Sequence, residues 1–402
     1  MRIAHISDSH LANIEGVATS VGTTVALLRA AGHQVTLHSP GPLSRRHRRP
    51  GELPSVPVPT RPYRLALPRL PDAPVDVVHV HTTGPVGIAG LRYAAARSLP
   101  VVFTWHTDLI AYAPYYPEVP LGAAYAGLRL GLDWRARALR DLSRPGPGRD
   151  LRLFELGRCL LAHMSVLLVP SAKTAEAMAP MAGGTPIVAL PTPVAAPVPD
   201  AEDRRRVRKH LDIPPDAPVL LAVGRASPEK NPGLLLGAFT RVRRALPSAR
   251  LVLLGVRRNR TALRRTARRL GVDDALHLLD PVPRERVGSY YRAADVLAFA
   301  STTDTQALVL GEAEAYGLPV AMVDDALATR PGTGSRRPLA AGAPTEFGAL
   351  LDRLLTDEAL REQVIAEGRA AATAWSGERY LAELTGLYTA LRHTSPTRRP
   401  AR

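Results

Sequence analysis

The chain has 402 residues, 46% of them apolar, which excludes a disordered tail protein and is enough for two domains with substantial cores. Its formal charge of +16 is spread out, with 20 basic and 13 acidic side chains in residues 1–200 and 32 and 23 in the remainder, so neither half is a basic module. Only three of the 52 basic residues are lysines, and aromatics are 5% of the chain, too few for base-stacking platforms; no nucleic-acid partner is predicted.

Short β-branched runs alternate with longer helical patterns from end to end, the signature of parallel sheets built from βαβ units. In the first half, strands are predicted at Arg2–Ile6, Val35–Ser39, Val75–His81, Val101–Trp105, Val166–Val169 and Ile187–Leu190, and helices at Val17–Ala31, Gly84–Arg97 and Ala172–Ala179. Leu128, Leu132, Leu139 and Leu142 recur at roughly helical spacing among arginines 129, 135, 137, 140 and 144, which suits either an interfacial helix on anionic lipid or a plain amphipathic helix. The proline-rich stretch Pro191–Asp200 reads as an interdomain linker.

The pattern then restarts. Strands are predicted at Val219–Gly224, Leu251–Gly255, Ala275–Leu279, Val296–Ala300 and Val320–Val323, and helices at Pro232–Ala245, Thr261–Leu270, Arg284–Ala293 and Leu308–Tyr316. A helical run over Thr356–Leu391 has room to cross back over the first domain, and residues from His393 onward read as frayed. These elements predict an α/β protein of two tandem doubly wound, Rossmann-like domains facing a central cleft. The N-terminal domain is placed at 1–195, the C-terminal domain at 196–375, and a C-terminal helix with tail at 376–402. The cleft is the expected active site.

Cys159, the one cysteine, excludes an internal disulfide and a cysteine-based zinc site, as in a reducing cytoplasm. No signal peptide is read at the start and no apolar stretch reaches 18 residues, so the expected location is cytoplasmic, with peripheral contact at the inner face of the plasma membrane left open.

Two blocks carry chemistry. In Val223–Leu236 (V-G-R-A-S-P-E-K-N-P-G-L-L-L), Arg225 and Lys230 follow a strand in a short loop before a helix, so two cations and a helix N-terminus converge as an anion site would require. In Ser301–Val320, Asp304 lies in a loop after a strand, and Glu312 stands two helical turns further on. These acids can hold separate hydroxyl-bearing groups, while backbone amides near Gln306, Ala307 and Leu308 offer donors to phosphate. The plainer alternative makes Asp304 an N-cap-like acid and Glu312 a solvated helix residue. Seven arginines over 257–269 suit a solvated helix.

In this order the two blocks resemble the family 4 retaining glycosyltransferases of the GT-B fold, nearest the branch with lipid acceptors, such as diacylglycerol glucosyltransferases and mannosyltransferases. Further matches are Y-Y-R-A-A-D (Tyr290–Asp295), V-P-S-A-K-T (Val169–Thr174), D-S-H-L-A-N-I-E-G-V-A-T-S near the start, and W-H-T-D-L-I-A-Y-A-P-Y-Y. The resemblance implies transfer of a hexose-type sugar from a UDP- or GDP-sugar to an acceptor hydroxyl of a glycolipid or secondary metabolite. Configuration would be retained, and neither metal nor cofactor is implied. It assigns Arg225 and Lys230 to the leaving diphosphate, Asp304 to the first acidic position and Glu312 to the ribose diol. Gly16 would lie at the donor phosphate and His106 beside the transferred sugar, with Asp108 and Tyr112 on the acceptor side.

The sequence departs from the family pattern in four places. Asp304 stands for Glu, Gly255-Val256-Arg257-Arg258 replaces G-D-G-P, Pro191-Thr192-Pro193 replaces P-N-G or P-T-G, and the loop Ala328–Gly342 replaces a G-x-x-E. The other readings are a nucleotide-sugar epimerase or hydrolase of the same fold, and a non-catalytic nucleotide-binding homologue. A competing motif, H-I-S-D-S-H-L (His5–Leu11) with His79-Val80-His81, resembles the opening of metallophosphoesterases, but their G-D-x-x-D and G-N-H are absent.

Overall fold

The computed structural model describes residues 1–10, 15–58, 64–68, 70, 72–194 and 202–394. Part of the first-domain motif, Leu11–Ile14, and most of the expected linker, 195–200, lie outside the described residues. Two compact units are present, one formed by Met1–Thr192 with Glu378–Arg402 and the other by Pro193–Gly377.

In the N-terminal unit the chain runs β1 (Arg2–Ile6), α1 (Gly16–Ala30), β2 (Gln34–Gly41), β3 (Glu52–Pro57), β4 (Arg64–Ala66), β5 (Val77–Val80), α2 (Pro85–Arg97), β6 (Val101–Thr104), α3 (Leu109–Tyr112), α4 (Glu118–Arg129), α5 (Ala136–Ser143), α6 (Pro147–Leu161), β7 (Val166–Val169), α7 (Ala172–Met178) and β8 (Ile187–Ala189). The sheet order is β4-β3-β2-β1-β5-β6-β7-β8, parallel except for the β3–β4 pair. Its central strands are buried on both faces between helical layers, one face apolar and the other carrying His5, His79 and Thr104. Ile6, Val78, Val80 and Phe103 pack with Leu91, Leu156 and Leu160 in the main core of this unit.

The other unit runs α8 (Asp203–His210), β9 (Val219–Val223), α9 (Pro232–Ala245), β10 (Arg250–Leu254), α10 (Arg260–Leu270), β11 (Leu276–Leu279), α11 (Arg284–Ala293), β12 (Val296–Phe299), α12 (Leu308–Ala315), β13 (Val320–Met322), α13 (Pro344–Thr356) and α14 (Glu358–Ala374). Its sheet is all parallel, in the order β11-β10-β9-β12-β13. Side chains on its two faces form separate cores, one around Leu236, Phe239 and Phe347, the other around Tyr291, Leu310 and Met322. The two doubly wound α/β units are the GT-B architecture.

Two expected helices are divided. The run at 356–391 breaks after Ala374 into α14 and α15 (Gly377–Thr394), and α15 belongs to the N-terminal unit. There the Tyr380 hydroxyl is 2.8 Å from Thr24 Oγ1 and the Tyr388 hydroxyl 2.5 Å from His79 Nδ1. The leucine spacing at 128–142 is not one helix either. α4 ends at Arg129, Gly131 turns the chain at φ +83°, and α5 begins at Ala136. Leu142 consequently points into the core while Leu128 is 75% exposed.

Candidate active site

Open α/β sheets bind ligands outside the carboxyl ends of their strands, where the winding reverses. In the five-stranded sheet the chain winds outward from β9 to β11, then returns to build β12 and β13 on the other side, so the reversal lies between β9 and β12. Both sequence blocks leave these strands. After β9, Gly224 takes φ +138° and Ser227–Asn231 form a tight turn, with Asn231 in the left-handed region (φ 50°) accepting from the Leu234 amide at the start of α9. Glu229 is buried; it accepts from the Ser227 hydroxyl at 2.5 Å and faces Arg225 Nη2 at 3.7 Å. Its carbonyl accepts from Ser301 and Thr303 hydroxyls at 3.2 and 3.3 Å, tying the loop after β9 to the loop after β12.

The tie continues through charge. Lys230 Nζ donates to Asp304 Oδ1 at 2.6 Å, with both side chains largely buried. Asp304 Oδ2 is buried with no hydrogen-bond partner among the described residues. The N-cap alternative for Asp304 fails, because the cap of α12 is Ala307, held at φ 56°. Gln306 and Ala307 therefore lead directly into α12, whose first turn, from Leu308, carries amides that an α-helix leaves without intrahelical partners. Glu312 is not solvated as the plainer reading expected: Tyr291 donates to its Oε2 at 2.8 Å and Arg284 pairs with its Oε1 at 3.2 Å. Burial and the Glu312 charge hold the Tyr291 phenol well above its usual range.

Within α12, Glu314 is buried and accepts from Arg330 Nε at 2.7 Å and from Arg337 Nε and Nη2 at 2.9 and 2.8 Å. Arg330 also reaches Glu367 at 2.9 Å. These contacts anchor the loop that replaces the G-x-x-E. Asp295 of the Y-Y-R-A-A-D segment has a structural post, pairing with Arg204 and Arg208 and accepting from the Val219 amide. In the arginine cluster, Arg260, Arg264 and Arg268 pair with Asp280 and Asp273.

In the N-terminal sheet the reversal lies between β1 and β5. Asp8, just past β1, accepts from the Thr82 hydroxyl at 2.6 Å and from the Val86 and Gly87 amides at 2.8 and 3.0 Å, so it is committed to the N-terminus of α2. A side chain at Gly87 would place its Cβ 1.8 Å from the Thr82 carbonyl oxygen. Burial raises the Asp8 pKa against these hydrogen bonds. Gly16 opens α1, and a Cβ there would meet nothing within 4 Å, so the fold itself does not demand glycine. Asp108 caps α3, accepting from the Ile110 and Ala111 amides at 3.0 Å, and Tyr112 stacks on Tyr116.

His106 stands two residues past β6, beside the imidazoles of His5, His79 and His81, which the sequence grouped with a metal motif and did not join to His106. His81 Nδ1 is 3.1 Å from His106 Nε2, and His5 Nδ1 is 2.9 Å from His81 Nε2. His79 meets Tyr388 and Thr104 hydroxyls at 2.5 and 2.7 Å. The ligand atoms of His5, His79 and His81 lie within 4.8 Å of one another. Desolvation lowers His5 to about 3 and His106 to about 4, and holds His79 and His81 well below the usual range. The D-x-H motif does not form a metal set with this group, since Asp8 serves α2. The signal that could have found the row was a histidine near the carboxyl end of each of three adjacent strands.

Residues 14–196 match the model of Glycosyltransferase Family 4 and residues 203–371 that of Glycosyl transferases group 1. With two doubly wound units and both models in tandem, the protein is a GT-B glycosyltransferase. The chain belongs to the family 4 glycosyltransferases of this fold, in which sugar is transferred to an acceptor. It is 26% identical over 338 residues to the alpha-monoglucosyldiacylglycerol synthase of Acholeplasma laidlawii, covering 80% of this chain and 79% of that protein. It is 35% identical over 214 residues to the D-inositol 3-phosphate glycosyltransferase of Xylanimonas cellulosilytica, covering 51% and 49%. The fold matches sucrose-phosphate synthase from Thermosynechococcus elongatus at a TM-score of 0.71 with 17% identity, covering 98% and 100% of the two chains. A crystal structure of Anabaena HepE with UDP and glucose matches at 0.65 with 13% identity, covering 97% and 100%.

Proposed function

We propose that this glycosyltransferase moves a hexose from a UDP- or GDP-sugar to the hydroxyl of a glycolipid acceptor, with retention of configuration and without a metal. The observation that carries the reading is the Lys230–Asp304 pair, which joins the loops leaving β9 and β12 at the reversal of the sheet. As the acceptor oxygen bonds to the anomeric carbon, the bond from that carbon to the diphosphate oxygen breaks. The acceptor proton passes to the departing phosphate. Charge gathering on that phosphate needs preorganised donors, and Lys230, Arg225 and the first-turn amides of α12 at Leu308 are assigned to it. Glu312, held by Tyr291 and Arg284, is assigned to the ribose diol, and Asp304 with Gln306 and Ala307 to the rest of the donor. Gly16 and His106 are the N-terminal unit's assigned donor contacts, and Asp108 and Tyr112 its acceptor side.

The names of the relatives support a lipid acceptor, and the N-terminal unit supports a membrane approach to it. Leu121, Leu128 and Leu139 are exposed on α4 and α5, in the same stretch as exposed Arg129, Arg135, Arg137, Arg140 and Arg144. No helix of the described residues is long and apolar enough to cross a membrane, so the contact proposed is peripheral. A thermal-shift panel of UDP, GDP, ADP and their sugars, followed by assays on vesicles of diacylglycerol and anionic lipid, tests the reading. A glycolipid product with retained anomeric configuration in chelator supports it. Sugar release without acceptor makes the protein a hydrolase or epimerase, and nucleotide stabilisation without turnover makes it a binding homologue.

A further inference from the structure

The carboxylate of Glu312, on α12, is held by two donors from one neighbouring helix. Arg284, the first residue of α11, pairs through Nη2 with Oε1 at 3.2 Å, and Tyr291, two helical turns further along α11, donates its hydroxyl to Oε2 at 2.8 Å. The Tyr291 ring is 2% exposed and packs in the core with Leu297, Leu310 and Val320, so the position of its hydroxyl is set by packing. Burial and the Glu312 charge hold the phenol well above its usual range, so Tyr291 keeps its hydrogen and stays a donor. Arg284 stands in the first turn of its helix, where the macrodipole disfavours a cation. Its side chain is 44% exposed, so packing does not call for an arginine there either; what it does is meet Glu312.

A carboxylate has about four lone-pair sites, two on each oxygen. Arg284 and Tyr291 occupy one site on each oxygen, and the Glu312 carboxylate has no other partner among the described residues. One acceptor site is therefore left on each oxygen, and the side chain, 17% exposed, is reachable from outside. Two acceptors side by side match two neighbouring hydroxyls, each of which brings one hydrogen. The last torsion of a glutamate is broad when nothing restrains it, and fixing it on binding costs conformational entropy. Here both oxygens are restrained before any ligand arrives.

We infer that Arg284 and Tyr291 are positioning residues that hold the Glu312 carboxylate as a two-oxygen acceptor for the 2′- and 3′-hydroxyls of the donor's ribose, and so set the preference of the site for ribonucleotides over deoxyribonucleotides. This rests on the assignment of Glu312 to the ribose diol made above. A nucleotide that lacks one of the hydroxyls leaves one oxygen of a pre-aimed carboxylate without its donor. Once the carboxylate is free to turn, the remaining hydroxyl can be met by either oxygen and the penalty shrinks.

The test is calorimetric titration of the full chain with UDP and GDP, each beside its 2′-deoxy and 3′-deoxy analogues. The readout is the ratio of deoxy to ribo Kd. For the nucleotide that binds, the wild type should show a ratio of about ten for either missing hydroxyl, the scale of one hydrogen bond to a charged group. Tyr291→Phe removes one oxygen atom from an otherwise unchanged ring, and Arg284→Met changes a half-exposed side chain, so both variants should fold. Each should lower the ratio to about three, because one of the two restraints remains. Loss of charge or a general loosening of the site would weaken ribo and deoxy nucleotides alike and leave the ratio unmoved. A wild-type ratio that Glu312→Gln abolishes but that stays unchanged in Tyr291→Phe or Arg284→Met overturns the role of that residue while the ribose assignment stands. A wild-type ratio near one, or one that Glu312→Gln leaves intact, overturns the ribose assignment itself, and binding of neither nucleotide overturns the proposed function.

Discussion

The buried imidazoles make the stability of the N-terminal unit depend on pH, and the size of the effect follows from the structure. His5, His79 and His81 are each at most 2% exposed, and desolvation holds all three neutral in the folded chain, His5 down to about 3. Unfolded, each ring titrates near its ordinary value of about 6.5. The folded pKa is the lower one, so the stabilisation is fully present above the unfolded value. It is lost as pH falls towards the folded one, because below about 6.5 the unfolded chain binds protons that the folded chain refuses. Between about pH 8 and pH 5 a ring held neutral as His5 is costs about 2 kcal/mol, a sizeable part of a typical unit's stability, and His79 and His81 act in the same direction. Urea unfolding followed by tryptophan fluorescence measures this in a Trp375→Phe background, where Trp105 and Trp134 both report on the N-terminal unit. Other histidines titrate too, so the diagnostic is a difference: His5→Leu should reduce the loss by about 2 kcal/mol, one ring's share. Equal pH dependence in the wild type and the variant would show that His5 is not held neutral in the folded chain.

Further outcomes follow from the same geometry. Lys230→Ala should lower sugar transfer by about a hundredfold or more, as loss of an oxyanion donor does; transfer near the wild-type rate would remove the phosphate assignment. Glu312→Gln weakens the ion pair with Arg284 and should raise the donor KM, measured by initial rates against donor concentration. Glu314→Ala leaves the buried guanidinium groups of Arg330 and Arg337 without their shared carboxylate and should destabilise the C-terminal unit by about 3–5 kcal/mol in chemical denaturation. Leu128→Glu, at a position 75% exposed, should leave nucleotide binding intact and reduce flotation with anionic vesicles.

How far the sequence could be read depended on whether a feature was local. Apolar, β-branched runs place Arg2–Ile6 and Val166–Val169 without error, and Pro232 fixes the start of Pro232–Ala245, because strand burial and a proline at the first helical turn are local signals. β3 and β4 escape that reading. β3 contains Pro54 and Pro57, β4 has three residues, and neither alternates clearly. The E-K-N loop and the D-T-Q loop are each visible as motifs, but the bond from Lys230 to Asp304 spans 74 residues and exists because β9 and β12 are neighbours. Sheet order is a non-local property, and the same reason hides Arg284 and Tyr291 behind Glu312 and the histidine row behind His106. Arg330 and Arg337 stood out only as charges in a proline- and glycine-rich loop. Their partner, Glu314, was in plain view within G-E-A-E-A, with nothing in the sequence to join the two.

The pairing of Lys230 with Asp304 also bears on why lysine is kept at that position in a chain with 49 arginines. An ammonium has three N–H donors on one atom, so giving one to Asp304 Oδ1 leaves the same charge centre with donors for phosphate oxygens. A guanidinium spreads its donors over a planar fork. Turned to a carboxylate it meets it edge on, and its remaining donors are fixed in that plane. The shorter side chain of Asp304, a departure from the family pattern, then has a physical reading: it meets the ammonium at 2.6 Å from the loop after β12, without help from a longer side chain. On this reasoning Lys230→Arg keeps the charge but not the geometry. It should lose transfer nearly as severely as Lys230→Ala while holding more of the nucleotide affinity, a split that comparing kcat with Kd for the nucleoside diphosphate would expose. Full activity in Lys230→Arg would mean that charge alone suffices and that the compact ammonium is incidental.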